Sequence, residues 1–228
     1  LTIGSRFSTS NALFEGRIDD VRIWNTALTQ EQIQEDMNSS VASVETNLLA
    51  YWRFNSGNGD ILYDHSGNGN HGTINGATWS EDVYVPPVPP VPGGNNSLSF
   101  DGEDYVSLSN SPIFSGVQNN FTISAWINPE SYDGWGAVYH HRGHYSDIYL
   151  NVEPDGRIRF YVGETTALFG DLELNQWVHI AGSYDGTTEK LYINGNLVDS
   201  QNDFSGDVNW DFNYCWETFG GSSENSTG

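Results

Sequence analysis

The chain has 228 residues, with 8 Lys and Arg against 30 Asp and Glu, a formal charge of −22. That balance argues against a nucleic-acid partner or an anionic membrane surface, since phosphate binding relies on Lys and Arg clusters and no basic run is present. Only 37% of residues are apolar, but 8 Trp, 12 Tyr and 11 Phe let a few large side chains fill a core.

Charged residues are just 17% and glycines number 25, a mixture of short strands and tight turns that points to an all-β chain. In chain order, the first element is the one credible helix, Thr29 to Met37. Thr29 is its N-cap, Gln32 the capping-box partner, and Ile33 and Met37 share a face. Residues 83–94 carry Pro-Pro-Val-Pro-Pro-Val-Pro, which cannot donate to a ladder and reads as a stiff polyproline II connector, or as a docking site for a proline-binding domain.

Period-2 strands follow at 121–127, 157–162, 177–181 and 190–193. Turn signals separate them at Pro154-Asp-Gly156, Asp185-Gly186 and Asn194-Gly195, with another earlier at Asp101-Gly102. Hairpins at this spacing predict a two-sheet sandwich or jelly roll. Trp210, Phe212, Tyr214 and Trp216 alternate as one face of a sheet would. The single Cys215 permits no intramolecular disulfide and reads as a small buried hydrophobe. No 18-residue apolar run or secretory leader is visible, so any export signal would lie outside this segment.

Seven stretches together resemble the laminin-G-like, concanavalin A-like jelly-roll family of bacterial extracellular proteins. They are Phe14-Glu-Gly-Arg-Ile-Asp-Asp-Val-Arg-Ile-Trp24, Leu48-Leu-Ala-Tyr-Trp-Arg-Phe54, Asp64-His-Ser-Gly-Asn-Gly-Asn-His-Gly-Thr73, Ser97-Leu-Ser-Phe-Asp-Gly-Glu-Asp-Tyr-Val106, Phe121-Thr-Ile-Ser-Ala-Trp126, Trp177-Val-His-Ile-Ala-Gly-Ser-Tyr-Asp-Gly186 and Leu191-Tyr-Ile-Asn-Gly195. The resemblance implies an all-β LamG-type jelly roll with one short peripheral helix.

The order departs from the family pattern, because the Gly16 to Trp24 stretch and its helix usually close such a domain and here come first. Thr218-Phe-Gly-Gly-Ser222 also looks like a second copy of Thr2-Ile-Gly-Ser5, a period of about 216 residues. Residues 1–46 are therefore expected to be closing strands and residues 47–228 a jelly roll lacking its own. Either the first segment folds back in cis as in a permutant, or it completes a preceding copy while a following copy completes this one. Open exchange of that kind builds a head-to-tail filament, and the remaining alternative is a segment boundary falling inside a domain.

The resemblance implies a structural calcium where the closing Ile-Asp-Asp-Val strand meets the opening Phe-Asp-Gly-x-x-Asp-Tyr strand. The matching side chains are Asp19, Asp20, Asp101 and Asp104. Alternation along a strand favours Asp19 with Asp101 or Asp104, the other reading being carboxylates that cap turns or face solvent. The Asp64 to His71 stretch reads as an Asx-turn loop, with calcium as the alternative.

Trp135, Tyr139, His140, His141, His144, Tyr145, Asp147 and Tyr149 form the best candidate glycan site, since aromatic faces stack on sugar rings while His and Asp bond hydroxyls. Core and loop packing is the competing reading, and zinc on His140 and His144 would need a helix that the pattern does not predict. Related jelly-roll hydrolases carry alternating acids on one strand, whereas the nearest match here, Glu153-Pro-Asp155, sits in a turn. A hydrolase would need two of Glu153, Asp155, Glu164 and Asp171 in one cleft.

The expectation is a non-catalytic, extracellular or cell-surface repeat for adhesion or filament assembly. Its partners are neighbouring copies of itself, with calcium at the junction. The alternative is a carbohydrate-binding module of a polysaccharide-degrading enzyme.

Overall fold

The computed structural model describes residues 2–5, 13–39, 47–84, 96–108, 120–141, 148–163 and 166–202. Among these described residues sixteen strands and one helix follow in chain order: β1 (Thr2–Ile3), β2 (Glu15–Trp24), α1 (Gln30–Asp36), β3 (Leu48–Trp52), β4 (Ile61–Leu62), β5 (Gly72–Asn75), β6 (Thr78–Ser80), β7 (Ser97–Asp101), β8 (Tyr105–Ser107), β9 (Phe121–Pro129), β10 (Gly136–His141), β11 (Ile148–Val152), β12 (Arg157–Val162), β13 (Leu168–Asp171), β14 (Val178–Tyr184), β15 (Glu189–Ile193) and β16 (Asn196–Gln201). One antiparallel sheet runs β13-β12-β11-β10-β1-β8-β5-β4, and the other runs β16-β15-β14-β9-β2-β7-β6 with β3 also on β2.

Alternation places one side of each strand in the shared core. Ile123, Ala125 and Ile127 of β9 meet Ile148, Leu150 and Val152 of β11 and Ile158, Phe160 and Val162 of β12 in a single apolar cluster. The expected turns hold: Asn194 and Gly195 both take positive φ (49° and 71°), the geometry a two-residue hairpin between β15 and β16 requires.

β2 occupies the interior of the second sheet. Its first half pairs with β7 (Glu15↔Asp101, Ile18↔Leu98), its second half pairs with β3 (Val21↔Trp52, Ile23↔Ala50), and its other edge pairs with β9 (Ile18↔Ile127, Ile23↔Ile123). A bulge between Asp19 and Arg22, with Asp20 at φ 54°, marks the switch from one partner to the next. The early Gly16 to Trp24 stretch is thus paired on both edges by strands of its own chain.

The Pro-rich stretch does not join two domains. Its flanks, Ser80 of β6 and Ser97 of β7, are cross-strand partners in one sheet, so the chain leaves and re-enters the same edge. Residues 85–94 of it lie outside the described residues.

Helix α1 begins with both arms of the expected capping box, Gln32 N–H donating to Thr29 Oγ1 and Thr29 N–H to Gln32 Oε1. Ile33 packs with Ala181 and Tyr192, laying the helix across the outer face of the second sheet. Buried Arg22 fastens this strap by donating to the carbonyls of Asp36 and Ser39 and pairing with Asp36 Oδ1. Trp126 Nε1 adds a bond to the Met37 carbonyl.

Candidate functional site

The outer face of β10, β11 and β12 carries a continuous aromatic and polar row. Because Ile148, Leu150 and Val152 point into the core, the alternate residues Tyr149 and Asn151 take the opposite face. Register then sets His140 beside Tyr149 and Tyr149 beside Tyr161, while Asn151 lies beside Arg159. The rings form a ladder, His140 on Tyr149 at 4.8 Å and Tyr149 on Tyr161 at 5.3 Å between centroids.

Arg159 stands among three rings, its guanidinium carbon 5.1 Å from the Tyr161 centroid, 5.7 Å from Trp135 and 6.0 Å from Tyr149. Those distances are within reach of cation–π attraction, which holds the planar group in place. Trp135 is 39% exposed and the Arg159 side chain 24%, so this end of the row faces solvent. Asn151 is only 2% exposed, and its Oδ1 accepts no hydrogen bond. An exposed indole beside a fixed hydrogen-bond donor is suited to stacking on a sugar ring while bonding its hydroxyls.

A family profile described as concanavalin A-like lectin/glucanases superfamily, Laminin_G_3, matches residues 1–34 and 100–227. The chain belongs to the concanavalin A-like lectin/glucanase superfamily. No curated protein and no solved structure matches it.

The superfamily's name spans binding and hydrolysis, so the placement of each predicted residue matters. Trp135, His140 and Tyr149 share the outer face, but His140 and Tyr149 are buried (3% and 6% exposed), so of the three only Trp135 meets solvent. Tyr139 does not: it is fully buried in the core, and burial pushes its hydroxyl well above the usual phenol range. A β-bulge between Ala137 and Tyr139 breaks the alternation that would otherwise predict its side. His141 is also buried, which pulls its pKa down to about 3. His144, Tyr145 and Asp147 lie outside the described residues.

Sequence reading missed Arg159, Tyr161 and Asn151. The signal was present in Arg157-Ile-Arg-Phe-Tyr-Val162, whose polar positions 157, 159 and 161 alternate with core residues.

The four acids expected at one calcium ion are split between two places. Glu15 is the partner of Asp101, and Asp19 lies four residues farther along β2, about 13 Å away at the ordinary rise per residue. Asp19 sits on β2 opposite Trp126, where burial and then the neighbouring Asp20 raise its carboxyl well above the usual range. Asp20 pairs with Arg22 at 3.3 Å.

Asp101 and Asp104 instead close the β7–β8 turn, Asp101 N–H donating to Asp104 Oδ2 and Glu103 N–H to Asp101 Oδ1. One ion cannot bridge both pairs, and among the described residues no three His, Cys, Asp or Glu side chains gather as a metal site would need. A cleft of about 310 Å³ beside Asp101 does bring Glu15, Glu103 and Asp133 to its walls.

The Asp64 loop resolves as an Asx-type turn. Asp64 accepts from the backbone N–H groups of Tyr51, Ser66 and Asn70 and from Ser66 Oγ, which occupies the oxygens a cation would need.

The described acids among those considered for hydrolysis stand beside arginines. Asp155 is exposed and takes two bonds from Arg157, at 2.8 and 2.6 Å, which hold its carboxyl below the usual range. A general acid needs the opposite shift. Asp171 is the cross-strand partner of Arg157, and Glu153 sits 3.8 Å from Arg159, while Glu164 lies outside the described residues.

Proposed function

We propose that this superfamily member is a non-catalytic, extracellular module that binds glycan on the outer face of β10–β12, serving adhesion to, or targeting of, a polysaccharide surface. The observation that carries the reading is the exposed indole of Trp135 beside Arg159 and Tyr161, one apolar platform flanked by a fixed donor. The reading draws further support from the lowered Asp155 carboxyl, which is poised for an ion pair and not for proton donation. No helix among the described residues is long and apolar enough to cross a membrane.

Strand exchange between copies is the weaker reading. β7 and β9 already bond to β2 of the same chain, so the edges a neighbour's strand would fill are taken.

Affinity electrophoresis through gels containing single polysaccharides tests the proposal. The expected result is retardation by at least one polymer and a loss of roughly tenfold or more in affinity for Trp135→Ala, with the circular dichroism spectrum unchanged. Free migration through every gel, or retardation that survives Trp135→Ala, would overturn it.

A further inference from the structure

The charges around Trp135 say what class of glycan fits. Among the described residues two guanidinium groups lie on this face, those of Arg157 and Arg159, and each already has a carboxylate beside it. Asp155 takes two hydrogen bonds from Arg157, and Glu153 lies 3.8 Å from Arg159. Asp171 stands directly across the strand from Arg157. Asp133 is exposed two residues before Trp135. Three carboxylates, Asp155, Asp171 and Glu153, thus stand by these two cations, with Asp133 close in sequence to Trp135, on a chain whose net charge is −22.

Among the described residues, a sugar acid brought to the Trp135 platform meets only cations that already have a carboxylate beside them. It would displace Asp155 or Glu153 from its arginine and leave that carboxylate facing a second anion. The polar groups that remain suit hydroxyls. The Arg159 guanidinium, 24% exposed and held among three rings, can donate to a hydroxyl, whereas Asn151 is buried beneath it and out of a ligand's reach.

Resting on the glycan-binding reading above, we infer that the site takes neutral saccharides and that Asp155 and Asp171 act as specificity residues that turn away uronic acid polymers. Both carboxylates are exposed, so replacing them disturbs no core packing.

The test compares wild type with Asp155→Asn/Asp171→Asn in gels containing neutral polymers (xylan, galactomannan, β-glucan) or uronate polymers (alginate, polygalacturonate) at low ionic strength. Wild type is expected to be retarded by a neutral polymer and to run freely through both uronates. The double variant keeps its neutral-polymer affinity within about twofold and gains at least fivefold affinity for a uronate, a gain that added salt reverses. Wild-type retardation by a uronate, or a double variant that gains no uronate affinity, would overturn the charge selection while leaving glycan binding in place. Free migration of wild type through all five polymers would overturn both.

Discussion

Arg22 lies over the ring of Tyr51, 4.4 Å from its centroid, and donates to the Tyr51 hydroxyl at 3.0 Å. The same guanidinium reaches Asp36 and Ser39, so one buried cation ties β2 and β3 to the strap that carries α1. Desolvation works against such a charge, and the Asp20 and Asp36 carboxylates more than offset it, raising the Arg22 pKa.

Removing that cation strands the Asp36 carboxylate and two carbonyls. Arg22→Met is expected to cost about 3 kcal/mol in urea unfolding, and amide exchange should quicken first in residues 30–36. Arg22→Lys should recover little, because an ammonium cannot fork to five acceptors. A loss below about 1 kcal/mol for Arg22→Met would show that water replaces the clamp at little cost.

Acid should destabilise the fold before its carboxylates titrate normally. His141 and His179 are both held at about 3 by burial, in His179 with a further push from Arg22, so both stay neutral in the native state. The unfolded chain takes up those protons near pH 6.5, so stability is whole above that pH and falls as pH drops toward 3. The slope is roughly 1 kcal/mol per histidine per pH unit. Asp19 works in the opposite sense, since its raised carboxyl binds a proton more readily when folded and offsets part of the loss. The melting temperature should fall by roughly 5–10 °C between pH 7 and pH 5, and His179→Gln should flatten that slope. A flat profile in wild type would mean that water reaches both imidazoles.

Light scattering with calcium and then with excess chelator addresses closure and metal together. With β2 paired on both edges within the chain, a monomer is expected in both conditions. With Asp19 and Asp101 on separate stretches of the sheet, chelation should move the melting temperature by less than about 1 °C. Polymers that dissolve on chelation would instead establish exchange between neighbours. A fall of several degrees in a monomer would show that calcium stabilises the fold.

Local signals were legible without coordinates. The capping box at Thr29 and Gln32 is set by short-range bonding, and the alternation in β9 and β12 follows from the two-residue period of a strand. The Asx loop at Asp64 was legible for the same reason, as its bonds within 64–70 run between near neighbours.

Whatever depended on register was decided only by the tertiary structure. Asp19 and Asp101 carry a familiar motif pair, yet sliding β2 along β7 changes which acids face each other, and neither motif records that offset. The bulge at Ala137 and Tyr139 turned one predicted sugar contact into core. The flanks of the Pro-rich stretch proved to be paired neighbours, a relation that no property of the stretch itself encodes. Arg159 became the centre of the candidate site because β10, β11 and β12 pair side by side, bringing Trp135, Tyr149 and Tyr161 around it from across 27 residues of chain. Sequence determines period and turn, which are local energies, whereas the site arises from pairing between distant strands, where the shared core selects one register among several.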